Sequence, residues 1–176
     1  MGTLASAQSR REIDVAKSVL TVRVYKTGLF SAFAHDHEVR APIQSGSFDE
    51  QQRVVEFKVD ARELKVLDPG VSDSDRNQVQ HTMLGPKVLD SEQFKEIAYV
   101  STSIEPAGQE KWKVKGNLRL HGQTRPVEVE VEKSNGHYRG SAKLRQTDFG
   151  ITPVSIGGGS IKVKDEVRIE FDIAGK

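Results

Sequence analysis

The residues best equipped for chemistry lie together at His35-Asp36-His37-Glu38. Alternate residues of a strand face one side, so His35 and His37 would present two imidazoles to a common centre, the start of a metal site. A cupin-like site then calls for a glutamate three or four residues further on, where the chain has Arg40, Ala41 and Pro42. His81, His121 and His137 stand at no ligand spacing from the pair. Cysteine is absent, which removes disulfides, thiolate ligands and a thiol nucleophile together. An ordinary polar strand is the simpler account of the motif, and a histidine-based metalloprotein or metalloenzyme is the alternative. No catalytic residue, metal or cofactor is expected.

Three further motifs fail on their surroundings. Gly157-Gly158-Gly159-Ser160 lacks the Lys-Ser/Thr and the following helix of a phosphate loop, so it reads as a connector. Ser155 and Ser160 lack a G-x-S-x-G setting, and Asp148-Phe149-Gly150 has none of the lysine or catalytic-loop companions of a kinase. Charge is balanced, with 26 basic against 25 acidic residues and a formal net charge of +1, and neither sign is concentrated. That composition points away from nucleic acid as a partner. No run reaches the roughly 18 apolar residues of a membrane-spanning helix, so stable membrane insertion is not expected.

What remains is a pattern of strands. Val127-Glu128-Val129-Glu130-Val131-Glu132 alternates valine and glutamate, giving one dry and one wet face. Similar alternation predicts strands over 19–25, 37–43 with an extension to Phe48, 55–59, 97–105, 112–121, 126–133, 137–146 and 163–173. Ser134-Asn135-Gly136 signals a tight hairpin, because asparagine and glycine accept positive φ. Between 61 and 94 the alternation stops, and the spacing of Val79, Met83 and Leu84 predicts a helix from Asp73, capped by Ser72 or Asp73 and ended by Gly85-Pro86. Val88, Leu89 and Phe94 are expected on a short second helical piece, and Leu29 to Phe33 on a single helical turn. The last strand, with Val167, Ile169, Phe171 and Ile173 inward, is expected to pair back on the first, removing exposed edges. The fold class is therefore all-β: a closed antiparallel lipocalin-like barrel of about eight strands, with a short helical excursion covering one end.

Three stretches of the chain resemble the YceI-like family. Asp75-Arg76-Asn77 through Met83-Leu84 to Phe94-Lys95-Glu96-Ile97 resembles its arginine-containing helix and strand entry, with Asn77 and Lys95 where the family often has aspartate and proline. Val114-Lys115-Gly116-Asn117-Leu118-Arg119-Leu120-His121-Gly122-Gln123-Thr124-Arg125-Pro126-Val127 is similar to its glycine-flanked hairpin. Thr147-Asp148-Phe149-Gly150-Ile151 with Asp165-Glu166-Val167 resembles its ending. The resemblance implies a lipocalin-like barrel whose pore holds a long isoprenoid lipid, of polyprenyl or isoprenoid-quinone type, for storage or transport. It also implies export to the periplasm and no catalysed reaction. Ala5-Ser6-Ala7-Gln8 has the small-x-small form of a signal-peptidase site, although no apolar stretch precedes it. Residues 1–11 are thus expected to be a disordered tail or a signal remnant, 12–174 a single domain, and the protein periplasmic or secreted.

An apolar guest needs apolar walls. The inward candidates are Leu20, Val22, Phe57, Trp112, Val114, Leu118, Leu120, Val129, Leu144, Ile169 and Phe171, with Phe149 beside them. Gly116, Gly140 and Ala142 share their parity and are expected to leave space. Phe30, Phe33, Met83, Leu84, Leu89 and Phe94 are expected at the mouth, where His35 or Arg76 would contact a head group. If the aliphatic side chains fill the interior instead, the protein is a ligand-free, stress-related scaffold. A small barrel of this kind also admits a homodimer.

Overall fold

The computed structural model describes residues 9–28 and 36–176, so the turn expected at Leu29–Phe33 lies outside the described residues. Twelve strands and one helix follow in the order β1 (Arg10–Glu12), β2 (Val19–Thr27), β3 (His37–Arg40), β4 (Ile43–Asp49), β5 (Val54–Asp60), β6 (Lys65–Val66), α1 (Asp73–Leu84), β7 (Glu96–Gly108), β8 (Lys111–Leu120), β9 (Gln123–Ser134), β10 (His137–Arg145), β11 (Ser155–Ile156) and β12 (Ile161–Ala174). All twelve belong to one sheet, in the order β1-β4-β5-β7-β8-β9-β10-β12-β2-β3-β6, with β11 on β12. Every neighbouring pair runs antiparallel. The sheet curls into a half-barrel around its apolar face, with one short helix. No helix among the described residues is long and apolar enough to cross a membrane.

The alternation reappears as pairing register. Val129 and Val131 face Val114 and Trp112 across β8–β9, while Glu128 and Glu130 face Lys115 and Lys113 on the wet side. Lys113 forms its ion pair with the diagonal Glu128 at 3.3 Å and Lys111 with the directly opposite Glu132 at 3.7 Å, and exposed cross-strand pairs of this kind contribute a few tenths of a kcal/mol each. The expected return of the last strand onto the first is present: Phe171 pairs with Leu20 and Ile169 with Val22. Asn135 and Gly136 turn the β9–β10 hairpin at φ 51° and 77°, and His121 and Gly122 repeat the device between β8 and β9 at 50° and 71°.

The connections sort to two ends. Turns after β4, β7 and β9 crowd one, here called the hairpin end. The other, the helix end, carries α1, the His121-Gly122 turn and the segment from 146 to 160. Ser72 caps α1 by accepting a hydrogen bond from the Asp75 amide at 3.1 Å, and Gly85 ends it. Gln80 ties α1 to β6, its amide accepting from Val66 N and donating to Leu64 O, both at 2.7 Å.

Several expectations are corrected. Val88 to Phe94 form turns instead of a second helical piece, because Asp90 stands at φ 43° and breaks any continuation. Arg10 and Arg11, assigned to the tail, lie in β1 paired with Asp49 and Phe48. Gly116 and Gly140 do not leave space in the interior. A Cβ on Gly116 would stand 2.5 Å from the Tyr99 hydroxyl, and one on Gly140 would stand 2.6 Å from the Phe171 ring and closer still to the Glu130 carbonyl. These glycines seat aromatic rings against the sheet. Because the Glu130 carbonyl belongs to the ladder and cannot step aside, Gly140→Ala should lower stability by about 1–3 kcal/mol in denaturant unfolding, without altering the strand content seen by circular dichroism.

Candidate functional site

The concave face of the sheet encloses a cavity of about 350 Å³ that runs from the helix end to the hairpin end. Every strand from β2 to β10 except β3's outward residues and the short β6 contributes inward side chains, as does β12. Val22, Val24, Phe57, Val129, Val131, Ile169 and Phe171 face this space and retain accessible surface, although they sit on the apolar side of their strands. Side chains packed against one another from wall to wall would not. Val39, Val59, Val114, Leu118 and Leu144 also line the cavity but are buried.

Aromatic rings line part of the wall. Phe57 stacks on Tyr99 with centroids 5.6 Å apart, and Tyr138 meets Phe48 edge-on at 5.0 Å and Trp112 at 6.2 Å. Tyr99 is nearly buried and its hydroxyl has no hydrogen-bond partner among the described residues. Burial alone pushes its pKa up to about 12.

Among the described residues, charged and amide side chains enter the lining at the two ends only. At the hairpin end, Glu50 on the β4–β5 turn accepts from the Tyr138 hydroxyl and from Lys133 Nζ at 2.9 Å, both on the β9–β10 hairpin. The Tyr138 hydrogen bond, followed by that of Lys133, holds the Glu50 carboxyl below its usual range. Asp49 beside it accepts from Gln51 N at 2.9 Å and Gln52 N at 2.8 Å. The helix end offers Gln146, whose amide donates to Lys164 O at 2.8 Å.

The candidate residues divide accordingly. Phe57, Met83, Leu89, Trp112, Val114, Leu118, Leu144 and Phe171 line the cavity, with Leu20, Val22, Leu120, Val129 and Ile169. Leu84, Phe94 and Phe149 do not line it. Leu84 ends α1, where its carbonyl is taken by Ser91 N at 2.9 Å. Phe94 lies on the His121 ring at 4.5 Å and above Gly122, and Phe149 is 2% exposed in a turn after β10. All three close the helix end. Arg76 also stays out of the cavity, because its guanidinium serves the start of its own helix and the loop before it, donating to Asp73 and to Val71 O, each at 2.8 Å. Phe30, Phe33 and His35 lie outside the described residues.

The histidines are dispersed. His37 Nδ1 lies 2.6 Å from Asp68 Oδ2, whose other oxygen accepts from Glu38 N at 2.8 Å, beside a separate cavity of about 230 Å³. His121 bonds the Phe149 carbonyl at 3.0 Å, and His137 bonds Asp172 at 2.5 Å. Among the described residues no three histidine or carboxylate side chains are grouped to hold a metal ion. Sequence reasoning missed the buried Asp68, the Tyr99 and Tyr138 walls, and the Glu50–Arg53 rim. Only Tyr99 and Tyr138 had a signal, their inward parity.

A curled antiparallel sheet around an apolar cavity defines a β-barrel-like fold. Known proteins narrow this. The profile of the YceI-like domain matches residues 12–175, and the chain belongs to that family. A UPF0312 protein of Vibrio parahaemolyticus is 28% identical over 153 residues, which span 81% of this chain and 72% of that protein. A Vibrio cholerae UPF0312 protein is 28% identical over 92 residues, and the match spans 47% of each chain, about half the length of that relative. Neither name states an activity. Among solved structures, BcnA of Burkholderia cenocepacia is similar with a TM-score of 0.63 at 21% identity, over 92% of this chain and 98% of that one. A Campylobacter jejuni YceI protein has a TM-score of 0.53 at 14% identity, over 78% and 81%. At those identities the likeness is one of fold.

The unpartnered Tyr99 hydroxyl makes a checkable contribution to stability. With the folded pKa raised from the ordinary 10 to about 12, the folded state holds this proton more tightly than the unfolded chain. The associated stability is complete below about pH 10 and disappears as pH rises through about 12. Tyr99→Phe should raise stability at neutral pH by about 1 kcal/mol, since it removes a buried polar group that makes no bond. The same variant should lose less stability than the parent between pH 10 and 12 in alkaline unfolding curves.

Proposed function

We propose that this chain is a non-enzymatic carrier that holds a long isoprenoid lipid, of polyprenyl or isoprenoid-quinone type, in the bore of its sheet for storage or transport. The observation that carries the reading is the cavity of about 350 Å³ walled almost wholly by aliphatic and aromatic side chains. That volume lies at the slim end of the roughly 300–1,000 Å³ usual for ligand sites, which suits a thread more than a globule. Each methylene equivalent transferred from water into such walls contributes about 0.8 kcal/mol, so a few prenyl units offset the cost of association. Little directional chemistry is required of the walls, and little is present. The periplasmic or secreted location goes with this reading, on the Ala5-Ser6-Ala7 pattern and the resemblance alone.

A closed, eight-stranded barrel is part of the same proposal. Its support is that β3 and β4 are separated only by Ala41 and Pro42, with β3 paired to β2 and β4 to β5. Ala41 N donates to Leu20 O at 2.9 Å, Ile13 N to Gly46 O at 2.9 Å, and Asp14 N to Ala174 O at 2.8 Å. One bent strand would thus join the two sides of the sheet and leave the bore walled all round.

Organic extraction of the purified protein followed by mass spectrometry should release a polyisoprenoid, and the emptied protein should take up a fluorescent polyprenyl probe at one per chain. Val129→Trp, which fills the middle of the bore from a partly accessible position, should fold normally and weaken uptake at least about tenfold. A preparation without lipid that also refuses the probe would overturn the proposal.

A further inference from the structure

Of the described residues lining the cavity, those that are exposed to solvent are Glu50, Arg53 and Val54, the last at 39%. All three lie at the hairpin end, Glu50 and Arg53 in the β4–β5 connection and Val54 at the start of β5. Lining residues at the helix end, from Leu64 and Met83 to Gln146 and Ile151, are buried or partly buried. Among the described residues, then, the bore meets solvent at the end opposite the one the sequence suggested.

The charges at this opening are unequal in their commitments. Glu50 is held by Tyr138 and Lys133, and Asp49 by the amides of its own turn. Arg53 makes no ion pair and no side-chain hydrogen bond among the described residues. It also occupies φ 56°, a left-handed position where glycine or asparagine would sit without strain. An uncommitted guanidinium at the rim of an apolar cavity, on a residue held at positive φ, is placed to receive a group from solvent. Guanidinium presents its donors in a planar fork that matches two oxygens of a phosphate or carboxylate.

We infer that Arg53 is the head-group contact of the bore, and that the bound molecule is an amphipath with an oxyanion head at the hairpin end and its apolar chain running toward α1. This inference rests on the bore being a lipid site. It adds the end at which the lipid enters, the sign of its head and the residue that recognises it. A prenyl phosphate and a long-chain carboxylate share the required chemistry.

The single tryptophan, Trp112, lines the bore 6.2 Å from Tyr138 and reports occupancy by its fluorescence. Farnesyl phosphate, farnesol and palmitate would be titrated into the delipidated full chain. Farnesyl phosphate is expected to bind about tenfold more tightly than farnesol, and Arg53→Gln should erase that difference while leaving farnesol unchanged. Palmitate affinity should fall together with that of farnesyl phosphate, since a carboxylate offers the guanidinium the same two oxygens, and palmitate binding untouched by Arg53→Gln would overturn the general oxyanion head. Arg53→Gly, which relieves the positive φ, should unfold at the same or a higher temperature than the parent and show the same loss, so that misfolding is not the cause. Arg125→Gln at the helix end should change nothing. Equal binding of farnesol and farnesyl phosphate, or equal weakening of both by Arg53→Gln, overturns the role of Arg53 and leaves the lipid bore standing. Failure of all three probes overturns the bore itself.

Discussion

The fold depends on a mismatch between the width of the curled sheet and the length of its inward side chains. Strands lie about 4.8 Å apart and twist, so a strongly curled sheet has a diameter set by strand number and tilt, whatever the side chains are. The inward positions of β2, β9 and β12 are largely Val22, Val24, Val127, Val129, Val131, Val167 and Ile169. These are short and branched at Cβ, which favours strand and limits reach. Larger rings are drawn aside, Tyr99 over Gly116 and Phe171 over Gly140, so that they thicken the wall instead of plugging the centre.

That geometry leaves little for polar chemistry in the interior. A buried polar group without a partner costs about 1–3 kcal/mol, and Tyr99 is the one such wall group identified among the described residues. Elsewhere the charged side chains pair on the convex face, as Lys113 with Glu128 and Arg23 with both Glu38 and Glu170. Such exposed pairs add little each, but they keep alternate positions wet and so keep the register from slipping by one residue, which would turn every valine outward. The bore and the charged exterior are two faces of one alternation.

At the ends the alternation gives way and other rules apply. The helix end is closed by parts that do not follow a strand period: Phe149 in its turn, Phe94 on His121, and Leu89 beneath α1. The excursion was legible as a cover for one end, but not which of its apolar residues line the cavity and which pack outside it, because the turns that place them include Asp90 and Gly122 at positive φ. The hairpin end is drawn together by Glu50, which reaches Tyr138 and Lys133 more than eighty residues away in the chain. Nothing in a run of Asp49-Glu50-Gln51-Gln52-Arg53 distinguishes one charge from another until the partners are known.

The sequence by itself determined the class of fold, nearly all the long strands, the capped helix, the tight hairpin at Asn135-Gly136 and the apolar identity of the wall. Each of these follows from periodicity, caps or turn residues acting over a few positions, where local sterics decide. Tertiary structure alone decided that a cavity runs along the apolar face, that Gly116 and Gly140 carry rings, and that His37 belongs to Asp68. Those outcomes depend on how far side chains reach across the sheet and on which distant charges meet. Such distances are set by strand pairing between residues far apart in the chain, a quantity that no local pattern contains.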